Sequence, residues 1–388
     1  MKIALTCPAS LPATQFGGIL FLCVDIAKKS AKEGHDTTIH TTDLDFANNA
    51  KTFNKNLSRL ESIDKFKINR THVWFSIRLF YVNPKMYLEM VRDKPDIIHA
   101  VGVRSFQAYV AALVARKKKI PLIISDQGGL TTHPDLKTSS LFHKFLFRLQ
   151  DPMIKFIIKS AKKVIVANEY EKNIFRNFCD ESKIVVIRNG IDLGIINQKI
   201  TNFKAKYKIN TNFILFLGRF HKVKGLDVLL QATNLIKDEL STLQTKLIIM
   251  GVDFGFEKEL FELIEEFSLR DNVVVIKNPP REDVLGAYNE CEFLVLPSRW
   301  ELSPLTPLEG FAFKKPVIST TAHGIPYTIT NNENAILVEP ENYRELADAI
   351  LSLLKDKNKQ IDFGNSGFKL VRIFLALIFR ELIYIPPY

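Results

Sequence analysis

The chain has 388 residues, 46% hydrophobic and 24% charged, a balance that suits two globular domains of ordinary size and excludes a disordered protein. Its four cysteines, Cys7, Cys23, Cys179 and Cys291, are dispersed, and no apolar run approaches the ~18 residues that cross a bilayer, so a disulfide framework and a spanning helix are both excluded and a reduced, cytoplasmic setting is expected. The net charge of +11 is lopsided: residues 1–200 hold 31 Lys and Arg against 18 Asp and Glu, or +13, and residues 201–388 hold 22 against 24, or −2.

In chain order, Lys2 to Cys7 reads as a first β-strand, because its apolar stretch is too short for a signal peptide and is broken by Pro8. Phe16-Gly17-Gly18 follows, then a helix over Ile19 to Glu33 that Gly34 ends. Strands are predicted at Thr37 to His40, Asp96 to Val101, Leu122 to Ser125, Lys163 to Ala167 and Ile184 to Arg188, with helical stretches between them. That alternation is the pattern of a doubly wound parallel sheet. The run Arg116-Lys117-Lys118-Lys119 suits a helix C-terminus, where the helix dipole favours cations. Two basic, aromatic stretches point to an anionic lipid surface: Arg70 to Tyr81, with Trp74, Phe75, Phe80 and Tyr81 beside Arg70 and Arg78, and Leu141 to Lys163. The second has the composition of an interfacial amphipathic helix, and equally of a core-packed helix with a solvated basic face.

A polar stretch from Leu193 to Ile209, after Asn189-Gly190-Ile191-Asp192, marks a domain boundary. Beyond it the alternation repeats, with strands at Phe213 to Leu217, Lys246 to Met250, Val273 to Ile276, Phe293 to Leu296, Val317 to Thr320 and Ala335 to Val338, and a helix at Asn342 to Lys355. The expected organisation is therefore residues 1–195, an acceptor-binding α/β domain; 196–365, a donor-binding one; and an atypical apolar tail, 366–388. Two such units imply a cleft.

Chemistry-bearing residues gather in the second half. Gly218-Arg219-Phe220-His221-Lys222-Val223-Lys224-Gly225 runs from a strand into a helix, placing Arg219 and Lys224 at a strand's carboxyl end, where a fork donor and a point charge can bracket a diphosphate. Arg299-Trp300-Glu301-Leu302-Ser303-Pro304-Leu305-Thr306-Pro307-Leu308-Glu309-Gly310 runs from another strand into another helix, so Glu301 and Glu309 also belong to the ligand-binding edge of an open sheet. Thr306-Pro307-Leu308-Glu309 reads as a capping box, with Thr306 at the N-cap, Pro307 at the first helical position and Glu309 reaching back to the cap amide. The amides of Leu305 to Leu308 offer an anion site at the same helix start.

Taken together, Gly218, Arg219, Lys224, Gly225, Glu301 and Glu309 resemble, position by position, the Gly-Arg-(four residues)-Lys-Gly and Glu-(seven residues)-Glu elements of the retaining glycosyltransferases of family 4, the glycosyl transferases group 1. Gly17-Gly18, Glu33-Gly34-His35, Asn189-Gly190 and Pro316-Val317-Ile318-Ser319 agree, and the resemblance covers roughly residues 1–365. It implies the GT-B fold, two Rossmann-like domains facing a cleft, and transfer of a sugar with retention from a UDP- or GDP-sugar to a glycan or lipid-linked acceptor. It further implies that Arg219 and Lys224 hold the donor diphosphate, Glu309 the ribose hydroxyls and Glu301 those of the transferred sugar. Gly18, Leu305 and Thr306 complete the donor-binding set; no cofactor and no metal are called for. Front-face attack, in which the leaving phosphate accepts the acceptor's proton, requires no dedicated base. Many members place a histidine after the strand matching Leu122 to Ser125; here Asp126-Gln127-Gly128-Gly129 follows, which makes Asp126 the catalytic candidate at that strand end.

Rival readings are weaker in the residues. Asp43-Leu44-Asp45 is an acid-x-acid pair such as a metal-dependent transferase of the other major fold uses, but no supporting cluster accompanies it. A glycoside hydrolase could employ Glu301 and Glu309, yet it has no need of a diphosphate clamp. A nonenzymatic nucleic-acid-binding protein would order its basic and aromatic residues on a recognised module, and these are not so ordered. The expected location is cytoplasmic and peripheral, at the inner face of the membrane.

Overall fold

The computed structural model describes residues 1–45, 52–77, 79–126, 130, 134 and 148–383, with the side chains of residues 15, 52 and 373–383 left aside. Arg78, Gln127 to Gly129 and most of Leu141 to Arg148 lie outside the described residues. The chain divides into two compact units, Met1–Asn189 with the residues from Glu381, and Gly190–Arg380. The division thus falls at Asn189-Gly190 itself.

The first unit is built on β1 (Lys2–Thr6), α1 (Gly18–Lys32), β2 (Asp36–Thr42), the bridge pair β3 (Leu44–Asp45) and β4 (Thr52–Phe53), β5 (Leu60–Ile63), β6 (Phe66–Thr71), a hairpin of β7 (Phe75–Ile77) and β8 (Phe80–Val82), α2 (Lys85–Asp93), β9 (Ile97–Val101), α3 (Phe106–Lys118), β10 (Leu122–Ser125), α4 (Asp151–Ser160), β11 (Lys163–Val166), α5 (Glu169–Phe175) and β12 (Ile184–Val186). Its main sheet has the order β12-β11-β10-β9-β1-β2-β6-β5, parallel except for the edge pair β5–β6. In α1, Leu20, Cys23, Val24, Ala27 and Ala31 are buried at helical spacing on one face. Chain order reverses between β1 and β9, so the loops after these two strands flank a switch point.

Three sequence expectations are corrected here. β5 and β6 had not been anticipated, because Phe66-Lys67-Ile68-Asn69-Arg70-Thr71 hides an alternating strand behind polar residues. Arg70 does not serve a lipid surface: it is buried at the end of β6 and donates to the Ser58 carbonyl at 2.8 Å, the Leu11 carbonyl at 2.7 Å and Glu61 Oε2 at 2.7 Å, while Tyr81 is fully buried. Nor does the described part of Leu141 to Lys163 present an apolar face outward. Ile154, Ile157 and Ile158 of α4 pack into the core, leaving Lys155, Lys159 and Lys162 exposed, with Arg148, Leu149, Asp151 and Pro152 exposed at the start of the helix.

The second unit contains β13 (Asn212–Leu217), α6 (Leu226–Leu235), β14 (Thr245–Gly251), β15 (Val273–Lys277), α7 (Arg281–Glu290), β16 (Leu294–Leu296), α8 (Leu305–Ala312), β17 (Val317–Thr320), β18 (Ala335–Val338), α9 (Tyr343–Lys355) and α10 (Lys357–Ile383). All six strands are parallel, in the order β15-β14-β13-β16-β17-β18. Phe213 to Phe216 and Leu247 to Met250 are buried without alternation, as strands covered on both faces must be. The order reverses between β13 and β16, and these two strands carry the two motif loops.

One buried acid makes the first unit sensitive to pH. Glu171 in α5 accepts the Ala167 amide at 2.6 Å, and burial together with the nearby Asp126 charge pushes its carboxyl from the ordinary 4.5 to about 8. The folded form then keeps a proton that the unfolded chain has lost, so stability is lost as pH rises from about 4.5 through about 8. Urea midpoints followed across that window are expected to decline in the wild type and to flatten in Glu171→Gln.

Candidate active site

The motif loops meet at the switch point of the second sheet. After β13 come Gly218 and Arg219, then a single 3₁₀ turn, Lys222–Lys224, capped by His221, whose Nδ1 accepts the Val223 amide at 3.2 Å. Gly225 is left-handed (φ 68°), and a Cβ built there would lie 2.0 Å from the Pro297 carbonyl oxygen, so the backbone after β13 lies directly against the backbone after β16. The Arg299 amide donates to the Val223 carbonyl at 2.8 Å, and Arg299 Nη1 to the Lys222 carbonyl at 2.6 Å. Gly324 is pressed against the Leu302 carbonyl in the same way and donates its amide to the Glu301 carbonyl at 2.9 Å.

This scaffold brings Lys224 and Glu301 together. The Lys224 ammonium donates to Glu301 Oε1, which also receives the Ser298 hydroxyl at 3.4 Å. Arg219 stands half-buried with its guanidinium 5.0 Å from the centroid of the Phe254 ring, a cation–π contact. Asp227, in the first turn of α6, binds Arg299 through both oxygens at 2.7 and 2.8 Å and Lys222 at 3.0 Å. Burial raises the Asp227 carboxyl, but the hydrogen bonds from Arg299 and Lys222 outweigh it and hold the group below its usual range. Arg299 binds Glu341 as well, so this network staples the loop that carries Glu301.

Glu309 is placed differently from the capping-box expectation. α8 begins at Leu305 with Pro304 as its N-cap and no side-chain cap bond, so Thr306 is the second helical residue and Pro307 the third. The Glu309 carboxylate turns instead to Arg281, which donates Nη2 to Oε1 at 2.6 Å and Nη1 to Oε2 at 3.2 Å, and to the Tyr288 hydroxyl at 2.9 Å. Burial and the Glu309 charge push the Tyr288 phenol well above its ordinary range, which keeps it a donor. Leu305 and Thr306 open α8 at the carboxyl end of β16, and no acid occupies that first turn.

Gly18 and Asp126 belong to the first unit. Gly18 opens α1 after Gly17, whose φ of 104° only glycine adopts readily and in front of which a Cβ would meet nothing within 4 Å. Asp126 follows β10, is buried, and accepts the Leu130 amide at 2.8 Å through Oδ2. Asp43 and Asp45 are taken up by protein groups: Asp43 receives His72 Nδ1 and the Val73 amide, and Asp45 the Asn54 side chain at 2.9 Å. Among the described residues no group of His, Cys, Asp or Glu is arranged to hold a metal ion. A hollow of about 470 Å³ lined by Lys204, Asn210, Asn212 and Gln244 opens at the amino ends of β13 and β14, the opposite edge from Arg219.

Arg281, Tyr288, Asp227 and Arg299 were missed by sequence reasoning. Arg281 alone left a signal: a cation at the first position of a helix opposes the dipole and asks for an acid partner.

Two Rossmann-like parallel sheets, the second with Arg219, Lys224, Glu301 and Glu309 about its switch point, define a GT-B glycosyltransferase. Residues 16–194 match the model of Glycosyltransferase Family 4 and residues 198–370 that of Glycosyl transferases group 1, and the chain belongs to this family of enzymes. It is 29% identical over 280 residues to an uncharacterised glycosyltransferase of Methanocaldococcus jannaschii, covering 70% of this chain and 69% of the other. It is 28% identical over 311 residues to the capsular polysaccharide biosynthesis glycosyltransferase CapM of Staphylococcus aureus, covering 77% and 78%. Among solved structures, Anabaena HepE in complex with UDP-glucose superposes with a TM-score of 0.75 over 99% of this chain and 98% of that one, at 19% identity.

The Gly225 contact yields a direct test. Gly225→Ala forces either the left-handed backbone or the Pro297 carbonyl to move, which is expected to cost at least about 1 kcal/mol, or roughly 2–4 °C in Tm. Turnover is expected to fall further than stability, because both motif loops shift. Calorimetry alongside a donor-turnover assay checks the pair of effects.

Proposed function

We propose that the enzyme is a retaining, metal-independent glycosyltransferase that moves a sugar from a UDP- or GDP-sugar to a glycan or lipid-linked acceptor, in glycan or glycolipid biosynthesis. The observation that carries this reading is the juxtaposition of Lys224 with Glu301, with Arg219 on the Lys224 loop, after the two strands that flank one switch point. HepE, solved with UDP-glucose, supports a uridine nucleotide donor, and CapM supports a saccharide acceptor.

In this reading Arg219 and Lys224 neutralise charge developing on the leaving diphosphate, the electrostatic contribution that usually dominates such reactions. The amides at the start of α8, around Leu305 and Thr306, add to it. Glu301 orients hydroxyls of the transferred sugar, and its carboxylate balances Lys224 until the phosphate arrives. Glu309, fixed by Arg281 and Tyr288, holds ribose hydroxyls. The leaving phosphate takes the acceptor's proton, and the glycosyl bond forms on the face from which the phosphate departs. Gly18 is the donor-binding glycine of the first unit, the acceptor-binding one. Asp126 is included among the catalytic residues for its position at the end of β10, although its carboxylate already serves the Leu130 amide. The acceptor is presented at the anionic inner surface of a membrane, where the excess positive charge of residues 1–200 would hold the enzyme.

Incubation with a panel of sugar nucleotides, with and without chelator, tests the reading. Turnover of one UDP- or GDP-sugar that chelator leaves unchanged is expected; loss on chelation removes the metal-independent part, and no turnover or binding with any donor removes the whole.

Lys224→Ala is expected to weaken donor affinity or rate at least tenfold without unfolding the protein, since removing one partner of a buried charge pair costs ~2–5 kcal/mol. Full activity of the Arg219→Ala, Lys224→Ala double variant would make both residues mere surface charges.

A further inference from the structure

We infer that the β7–β8 hairpin of the first unit is a wedge that enters an anionic phospholipid bilayer, an inference that rests on the membrane-presented acceptor proposed above and names the element that makes the contact. Trp74, Phe75, Ile77 and Leu79 are 62%, 56%, 50% and 45% exposed, four large apolar side chains within six residues. Every residue of β7 is exposed, whereas Tyr81 and Val82 of β8 are buried. One strand of the hairpin is thus an anchor and the other an apolar outer edge. Contiguous exposed apolar groups of this kind mark interaction surfaces, and tryptophan in particular favours the bilayer interface.

The mount is rigid, which a two-stranded hairpin alone would not be. Trp74 donates its amide to the Val82 carbonyl at 2.8 Å, Gln107 Nε2 binds the Tyr81 carbonyl at 2.9 Å and Asn83 Oδ1 at 2.7 Å, and Asn83 Nδ2 binds Thr71 Oγ1 at 2.7 Å. Phe80 packs edge-on against Phe106, with centroids 6.1 Å apart. The base of the hairpin is therefore preorganised.

Position and charge select the occupant. β6 ends at Thr71, so the hairpin springs from the carboxyl edge of the sheet, the edge where an acceptor is expected. Leu149, 59% exposed, lies on this edge too, beside Gln150, whose side chain accepts Arg104 Nη1 at 3.1 Å. Lys85 at the start of α2 and Lys55 beside Asn54 are exposed on the same edge, and neither has an ion-pair partner among the described residues. Apolar tips flanked by unpaired lysines complement an anionic headgroup layer over a hydrocarbon interior. A second copy of a chain with net charge +11 is repelled by the same charge. The basic groups Arg116 to Lys119 precede β10 and so lie at the amino edge, away from this surface.

The chain supplies its own probe, because Trp300 is buried and Trp74 is the exposed tryptophan of the two. The full-length protein is mixed with vesicles of phosphatidylcholine containing phosphatidylglycerol, with vesicles of phosphatidylcholine alone, and with vesicles brominated along the acyl chains. Expected are a blue shift of Trp74 emission and quenching by brominated lipid with the anionic vesicles, both absent in Trp74→Phe, which still sediments with them. Phe75→Ser with Ile77→Ser is expected to weaken sedimentation at least tenfold while turnover of the soluble donor stays unchanged. Sedimentation without quenching, no sedimentation, or concentration-dependent dimerisation that the double serine variant abolishes would each overturn the inference. Donor turnover measured in parallel separates the failures: turnover without quenching refutes only the wedge, and quenching without turnover refutes only the donor reading.

Discussion

The backbone contact between residue 225 and the Pro297 carbonyl is the constraint on which the rest of the second unit's site depends, since a hydrogen is all that fits between them. β13 and β16 are neighbours in the sheet but far apart in sequence, paired through Leu215 and Leu294. Their loops would diverge if side chains stood between them. With glycine at 225 the loops instead share backbone hydrogen bonds, such as that from the Arg299 amide to the Val223 carbonyl at 2.8 Å. Lys224 is then one position, and Glu301 two positions, from a fixed point on its loop. The ion pair is thus a consequence of sheet order and one glycine more than of its own attraction.

Electrostatics follow from the same geometry. Lys222 and Lys224, two residues apart in one turn, go to different acids: Lys222 to Asp227 and Glu259, Lys224 to Glu301. Asp227 and Glu341 occupy Arg299, next but one to Glu301 in sequence. The outer charges are thereby tied into structural networks, and the Lys224–Glu301 pair, each side chain 17% exposed, faces the site. A largely buried pair sets its attraction against the cost of desolvating both charges, so its net contribution to stability is small while loss of one partner is costly.

Much of this was legible because the second unit's strands are uninterrupted apolar runs and its motif residues sit at fixed distances from glycine and proline. Phe213 to Leu217 and Ala335 to Val338 were readable for that reason, and Asn342 caps α9 through its side chain as its sequence position suggests. Strand β6 was not legible, because its inward positions include Arg70, a cation whose burial is tolerated only through partners contributed by Ser58, Leu11 and Glu61. Charge and aromaticity in a linear stretch also could not say which side chains face outward: Arg70 and Tyr81 turn in, Trp74 and Phe75 turn out. The partners of Glu309 were hidden for a related reason, since Arg281 lies 28 positions upstream and only the fold brings the two together.

That long-range clamp bears on how Glu309 can act. A carboxylate offers about four lone-pair sites, and two bonds from Arg281 with one from Tyr288 occupy three of them. A capping-box glutamate would have spent its acceptors on its own helix and followed that helix's fraying. Held instead by the first residue of α7 and by a fully buried tyrosine, the carboxylate is oriented before any ligand arrives, and in the proposed reading the remaining lone pair is left for a ribose hydroxyl. Removing Arg281 would leave the charge in place but free its direction, so the physical content of the arrangement is orientation more than attraction.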